Sequence, residues 1–388
     1  MGYLEFQAAG APPAPADVFP DDAQRWSDAT TWGGCVPASG SAVRIEAGRT
    51  IILDQDIDLG SLDVEGTLLV APRDTKIRAG WICVHGEGRL AAGDTERAFR
   101  QQLTITLCVG DAVKSHALLG SKFLAALDGG TIDLHGQHRT SWVALGATAA
   151  PGHGTIRLAQ PVDWRVGERV AVASGHDHSL VEERTIREVG ADCLTLTLDR
   201  PVEHRHHGQH ASLRHVLPGS LAKAVLLERN VVVEGCTESE RASLGGFCMI
   251  AGSMQPGVPG RRAIGRFSGV EFRRMGQLNR PGRYPLHWHN NGDAVESCVS
   301  GCLVHSSYQR GIVTLGSQHV RINGNVVLKP YGHGYIVESE DNSPQLLTTN
   351  LALRPRVARF ADSAMRSYCE VRPRPFWIVR SPTRPAAH

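Results

Sequence analysis

Two histidines stand one residue apart in Pro285-Leu286-His287-Trp288-His289. If that segment is a strand, side chains at i and i+2 share a face, so His287 and His289 point together. Imidazole titrates near neutral pH and can give or take a proton. Asp293 lies just beyond the pair and Arg283 just before it. Hydrolysis needs an acid and a base or nucleophile, and elimination beside a carboxylate needs a base for the carbon-bound proton and a cation on the carboxylate. The residues supply parts of both.

What would position them is an internal repeat. Ser268-Gly269-Val270-Glu271-Phe272, Gly301-Cys302-Leu303-Val304-His305, Gly324-Asn325-Val326-Val327-Leu328 and Thr349-Asn350-Leu351-Ala352-Leu353 align beneath one another. Their central positions Val270, Leu303, Val326 and Leu351 lie 33, 23 and 25 residues apart. A second strand repeats in phase at His287, Val313 and Ile336, and a third at Val299, Ile322 and Leu347. Three short strands per turn are the signature of a parallel β-helix coil, in which stacking supplies the core that one coil lacks. The crossover rule makes such a helix right-handed. In this alignment His289 stacks over Leu315 and Glu338, and His287 over Val313 and Ile336. Arg310 and His333 fall on the neighbouring coils. Asn325 and Asn350, one coil apart, suit a turn ladder.

The spacing therefore predicts a site on the β-helix flank. His287, His289, Asp293 and Glu338 are its candidate catalytic residues, and Arg283, Arg310 and His333 its candidate contacts to substrate. Arginine pairs well with carboxylates. The bland readings are a core histidine at 287, should Val313 and Ile336 face inward, and solvated arginines at coil corners.

The rest of the chain is β in texture. Runs such as Thr50-Ile51-Ile52-Leu53, Thr67-Leu68-Leu69-Val70 and Leu103-Thr104-Ile105-Thr106-Leu107 are separated by glycines at 48, 60, 66, 80, 86 and 93. Strands alternating with period two continue from Gly154 to Val202. Next comes a loop with His204, His206, His207, His210 and His215, which reads as a solvated turn. The expected organisation is all-β. A flexible lead-in (1–24) precedes a β domain (25–150) and a small β segment with the histidine loop (151–224). A parallel β-helix (225–353) and an irregular Arg/Pro-rich tail (354–388) complete it.

The stretches Trp26-Ser27, Gly66-Thr67-Leu68 and Gly86-Glu87-Gly88-Arg89-Leu90 resemble the eight-glycine (G8) domain. Asp133-Leu134-His135-Gly136, Ser141-Trp142 and Val162-Asp163-Trp164-Arg165-Val166-Gly167-Glu168 resemble the segment C-terminal to that domain in its family. Gly282-Arg283-Tyr284-Pro285-Leu286-His287-Trp288-His289, Gln309-Arg310-Gly311 and Gly332-His333-Gly334-Tyr335 resemble the later coils. The likeness runs collinearly over about residues 25–353. It is to the family of the cell-migration-inducing and transmembrane cell-surface hyaluronidases. It implies endo-hydrolysis of hyaluronan or a related acidic polysaccharide; a lyase, or a glycan-binding module without catalysis, is the alternative. It also implies calcium, for which Asp293, Glu340 and Asp341 are the candidate ligands. The segment Glu338-Ser339-Glu340-Asp341-Asn342 is shorter than the family's acidic loop and lacks its glycine.

Charge and cysteines narrow the partners. The net charge is +2, but residues 354–388 hold eight arginines against two acids, leaving 33 basic and 37 acidic groups elsewhere. The tail lacks lysines, which argues against nucleic acid. Nine cysteines without CxxC pairs read mostly as buried free thiols, with Cys298 and Cys302 either pairing or filling core positions. No stretch approaches membrane-spanning length, residues 1–20 show no signal-peptide pattern, and a monomer is expected.

Overall fold

The computed structural model describes residues 19–109, 115–175, 177, 180–209, 221–253, 260–339, 346–357 and 374–380. Their strands form three parallel sheets of nine, eight and nine strands and a six-stranded antiparallel sheet. One turn shows the path. Trp81–His85 lies in what we call sheet II, Arg89–Ala92 in sheet I and Leu103–Leu107 in sheet III. Each strand pairs in parallel with its equivalents one turn away, as Phe123–Leu127 does with Trp81–His85 and Phe247–Ala251. Period-two alternation sends Leu103, Ile105 and Leu107 inward. The interior is a single apolar column from Trp26 to Ala352.

That column runs through the expected domain boundaries. The 25–150 segment is no separate body, because its strands begin the same three sheets that the later coils continue. Thr131–His135 pairs directly with Ile264–Ser268, and Leu103–Leu107 with Val231–Gly235. The antiparallel sheet, between residues 142 and 226, is an insertion at one corner of one coil. In the next coil that corner needs only Gly269, at φ +58°, between Ser268 and Val270. Asn230 ties the opened corner. Its side chain accepts from the Gln137 N–H at 2.8 Å and donates to the Phe99 and Gln101 carbonyls at 2.7 Å. The inserted sheet has its own core around Val170, Val172 and Leu226. Its other face sets Ala171, Ala173 and Val225 on Leu303, Val326 and Leu328, outside sheet III.

Asn325 and Asn350 form the expected ladder: the Asn350 side-chain Oδ1 accepts from Asn325 N and Nδ2, both at 3.0 Å. Two expectations fail. The partner of Leu303 is Glu271, not Val270, since the Gly269 corner is one residue shorter than the Gly301-Cys302 corner. The tail is not wholly irregular either. Phe376–Arg380 adds a ninth strand to sheet II beside Tyr335–Ser339, and Phe376 stacks on Tyr335 at 4.7 Å. Its apolar, β-prone run overrides the Arg/Pro setting. Residues 1–18, 358–373 and 381–388 lie outside the described residues.

The glycines before Thr67, Arg89 and Thr131 stand in one column, since those three residues are register partners. A Cβ on Gly66, Gly88 or Gly130 would lie 2.3, 2.1 and 2.1 Å from a backbone carbonyl oxygen of the preceding coil. Backbone cannot swing aside as a side-chain tip can. Gly88→Ala is expected to cost about 3 kcal/mol, the upper range of overpacking. Gly152→Ala, where a Cβ meets nothing within 4 Å, carries only the cost of its positive φ. Urea unfolding of the two variants should separate them clearly.

Candidate functional site

Leu286 and Trp288 join the interior column, so His287 and His289 project from the outer face of sheet II. Val313 and Ile336 continue the His287 position outward, and Leu315 and Glu338 continue that of His289. The inward alternative for His287 is thus excluded, but the outer face is covered here. His287 is 0% exposed, packed 4.9 Å from the Tyr284 ring. Its Nδ1 donates to the Gly282 carbonyl at 3.0 Å, and its buried Nε2 has no partner among the described residues. Burial, then the nearby His289 and Arg310, brings its pKa to about 3. It is neutral and beyond the reach of a polymer in this arrangement. His289, half-buried with its ring 5.0 Å from that of His287, is likewise held below its ordinary pKa by burial.

The expected substrate contacts are engaged in packing. Arg283 donates to the Leu119 carbonyl and lies 4.4 Å over the Phe247 ring. Arg310 donates to the Tyr284 hydroxyl at 3.1 Å. His333 accepts from the Arg374 N–H at 2.9 Å, and burial, then Arg310, lowers its pKa to about 4. Glu338 is half-exposed, two coils from His289 and hence roughly 10 Å away along the stack. Asp293, four residues beyond His289, is not brought to the pair. It bonds His319 at 2.7 Å, which lowers its pKa, and sits 4.0 Å from Arg262. Held between the His319 ring and the Arg262 guanidinium, it does not fit a hard divalent ion that takes six to eight oxygens. Glu340 and Asp341 lie outside the described residues.

Among the described residues, three metal-ligating side chains converge at Cys108, Cys236 and Glu238 and at Glu182, Glu203 and His204. Neither is an oxygen cage. Glu182 is already saturated by the N–H groups of Glu203 and His204, by Arg184, and by His206 at 2.8 Å. Against burial, those contacts lower its pKa to about 2. The histidine loop is therefore not simply solvated: His206 is fully buried on Glu182. His210 and His215 lie outside the described residues.

A different site opens where the inserted sheet meets the helix. There a cleft of about 390 Å³ runs between Arg169 and Glu183 on the insertion and His305, Tyr308 and Lys329 on the coils. Tyr331 and Arg356 line it too, the guanidinium 3.9 Å over the ring, and Glu240 stands at its edge. His305 ends the strand Leu303–His305 and turns outward beside Glu271, two positions across on the neighbouring strand. Its Nε2 donates to the Glu271 carboxylate at 2.9 Å. Glu271 is only 2% exposed. It also accepts from Arg273 at 3.3 Å and from the Arg229 N–H at 3.1 Å. Burial alone would raise its pKa, but His305, Arg273 and that N–H outweigh it and the net direction is down. Glu271 is thus an ionised buried carboxylate that fixes the orientation of an imidazole at a cleft. This arrangement resembles in logic the carboxylate that orients a catalytic histidine. Sequence reading missed it because the one-residue register error set His305 opposite Phe272 instead of Arg273.

These observations define a parallel β-helix protein with an antiparallel sheet inserted at one corner and a polar cleft at the junction. More particularly, the chain carries a G8 domain, matched over residues 31–146, and after it a CEMIP β-helix, matched over residues 243–377. Fibrocystin-L of Homo sapiens is 30% identical over 91% of this chain, which spans 9% of that protein. Protein rliB of Dictyostelium discoideum is 25% identical over 85% of the chain, which spans 29% of it. Among solved structures, the tailspike gp49 of Pseudomonas phage LKA1 shares 12% identity over 80% of this chain and 41% of its own, at TM-score 0.22. The gp54 tailspike of Acinetobacter baumannii bacteriophage AP22, solved with a capsular saccharide, shares 11% over 74% and 53%, also at 0.22. Scores this low add nothing to the assignment. No helix among the described residues is long and apolar enough to cross a membrane.

Proposed function

We propose that this chain binds an acidic polysaccharide in the cleft between the inserted sheet and the helix, and cleaves it there with His305 handling the proton. The observation that supports this reading most is the Glu271–His305 pair at a cleft that also carries Arg169, Lys329 and Arg356. Guanidinium groups match the carboxylates of a uronate-containing chain. Tyr308 and Tyr331 add ring surface of the kind sugars pack on. Glu183 and Glu240 are the carboxylates within reach of the second role that hydrolysis requires.

The test is incubation with hyaluronan and with chondroitin, monitoring product size and ultraviolet absorbance together. Shortened products without new absorbance mean hydrolysis; absorbance from an unsaturated uronate means elimination. His305→Asn is expected to slow cleavage about 100-fold or more, while replacement of both His287 and His289 by alanine leaves turnover by folded protein in place. The reverse pattern would move the site back to sheet II. Binding without cleavage is the second reading, and one feature favours it: Glu183 is tied to Lys329. That leaves Glu240 as the cleft's carboxylate without an ion pair among the described residues. Retained glycan affinity with no shortening of either polymer would decide for it.

A further inference from the structure

The described cysteines are unbonded, and Cys298 and Cys302 do not pair. One other pair is placed for a bond. Leu107 and Gly235 are register partners on adjacent coils of sheet III. Cys108 and Cys236, the next residue on each, therefore stand one strand spacing apart, roughly 5 Å between Cα atoms. That is within the disulfide range, and their Cβ atoms need close by only about 1 Å. Both residues lie just past the ends of their strands, where the backbone is no longer clamped by the ladder on both sides. Both are buried, and their sulfurs and the Glu238 carboxylate lie within 4.8 Å of one another.

Those three atoms suggest a soft metal site first. The surroundings speak against it: the Arg78 guanidinium donates to Cys108 Sγ at 3.3 Å and puts a fixed positive charge where a cation would sit. The same charge favours a thiolate, the species that attacks a disulfide. We propose that Cys108 and Cys236 form a disulfide that cross-links two consecutive coils of the helix across the whole inserted sheet. The bond would tie the coil before the insertion to the first strand after it, at the edge of the His305 cleft's supporting sheet.

The oxidant is a small disulfide such as oxidised glutathione. One protein thiolate attacks it, expelling one small thiolate and leaving a mixed disulfide. The second cysteine then attacks the protein sulfur of that bond and expels the other. Two protein S–H bonds are lost, one S–S bond forms, and the small disulfide ends as two thiols. Burial, with the contact to Cys236, pushes the Cys108 thiol up to about 12, so exchange is expected to be slow and to quicken at alkaline pH.

The experiment uses the full chain, reduced and then incubated with oxidised glutathione. The expected result is loss of two titratable thiols and a non-reduced peptide joining Cys108 to Cys236. The melting temperature should rise by several degrees and return on adding dithiothreitol. Cys108→Ser and Cys236→Ser should each abolish both the joined peptide and the rise. All thiols remaining alkylatable after oxidation would overturn the proposal, as would a cross-link between other cysteines. So would one equivalent of zinc bound by the reduced protein and lost in Cys108→Ser.

Discussion

Glu271→Ala is expected to lower folding stability by about 3–5 kcal/mol, the usual cost of removing one partner from a buried charge network. The substitution takes the acceptor from His305, Arg273 and the Arg229 N–H together. Arg273 keeps Glu234 as a partner at 2.6 Å, which limits the loss. The Arg229 N–H and the His305 Nε2 have no such second acceptor among the described residues of sheet III. Urea unfolding should show a lower midpoint with an unchanged slope, since the surface exposed on unfolding stays the same. Glu271→Gln separates stability from chemistry. An amide of the same shape keeps an acceptor for His305 but removes the negative charge beside it. Cleavage should fall by about 100-fold or more with the Michaelis constant nearly unchanged. Glu271→Gln that turned over glycan like the parent, at every pH, would end the assignment of Glu271 as a positioning residue.

The fold was legible because a β-helix writes its period into the chain. Val299, Ile322 and Leu347, or His287, Val313 and Ile336, are true register partners, and spacing alone finds them. Periodicity does not count corner residues, however. Gly269 turns one corner alone while Gly301-Cys302 turns the next, and a slip of one reverses every side chain on a strand. That slip aligned Glu271 with the inward Val304 and hid its diagonal contact with His305. The His-Trp-His pair was legible as sharing one outward face, but not as covered, because the cover is Tyr284, which the chain brings back over the sheet from its own preceding loop. The cleft itself joins residues 169 and 183 to residues 305–356. Nothing local in the sequence announces such a contact. The apolar strip from Leu303 to Leu328 that seats the insertion reads as ordinary strand pattern until the insertion is placed on it.

Stability should fall steadily between pH 6.5 and 4.5, and His287 should account for much of the slope. An unfolded histidine titrates near 6.5, whereas His287 in the folded chain titrates at about 3 because it is buried beside His289 and Arg310. Above pH 6.5 the ring is neutral in both states and its contribution is fully present. As the pH falls below 6.5 the unfolded chain takes up a proton that the folded chain refuses. Folding is then penalised by about 1.4 kcal/mol per pH unit until the folded pKa is reached. Across two units that amounts to about 2–3 kcal/mol from this residue. His333, lowered to about 4, adds in the same direction. The buried acids act in a different window: Asp133 and Glu182, both lowered to about 2, lose their contributions only as the pH passes down through the ordinary carboxylate range. Above pH 4.5 the slope is therefore a histidine signal. His287→Leu removes the titrating ring and leaves an apolar side chain against Tyr284 and Val313. Urea midpoints measured at pH 7, 6 and 5 should drop less steeply in His287→Leu than in the parent, the curves converging toward the acid end. Parallel curves would mean that His287 is protonated in the folded chain, and that the loop over the sheet II flank opens to solvent.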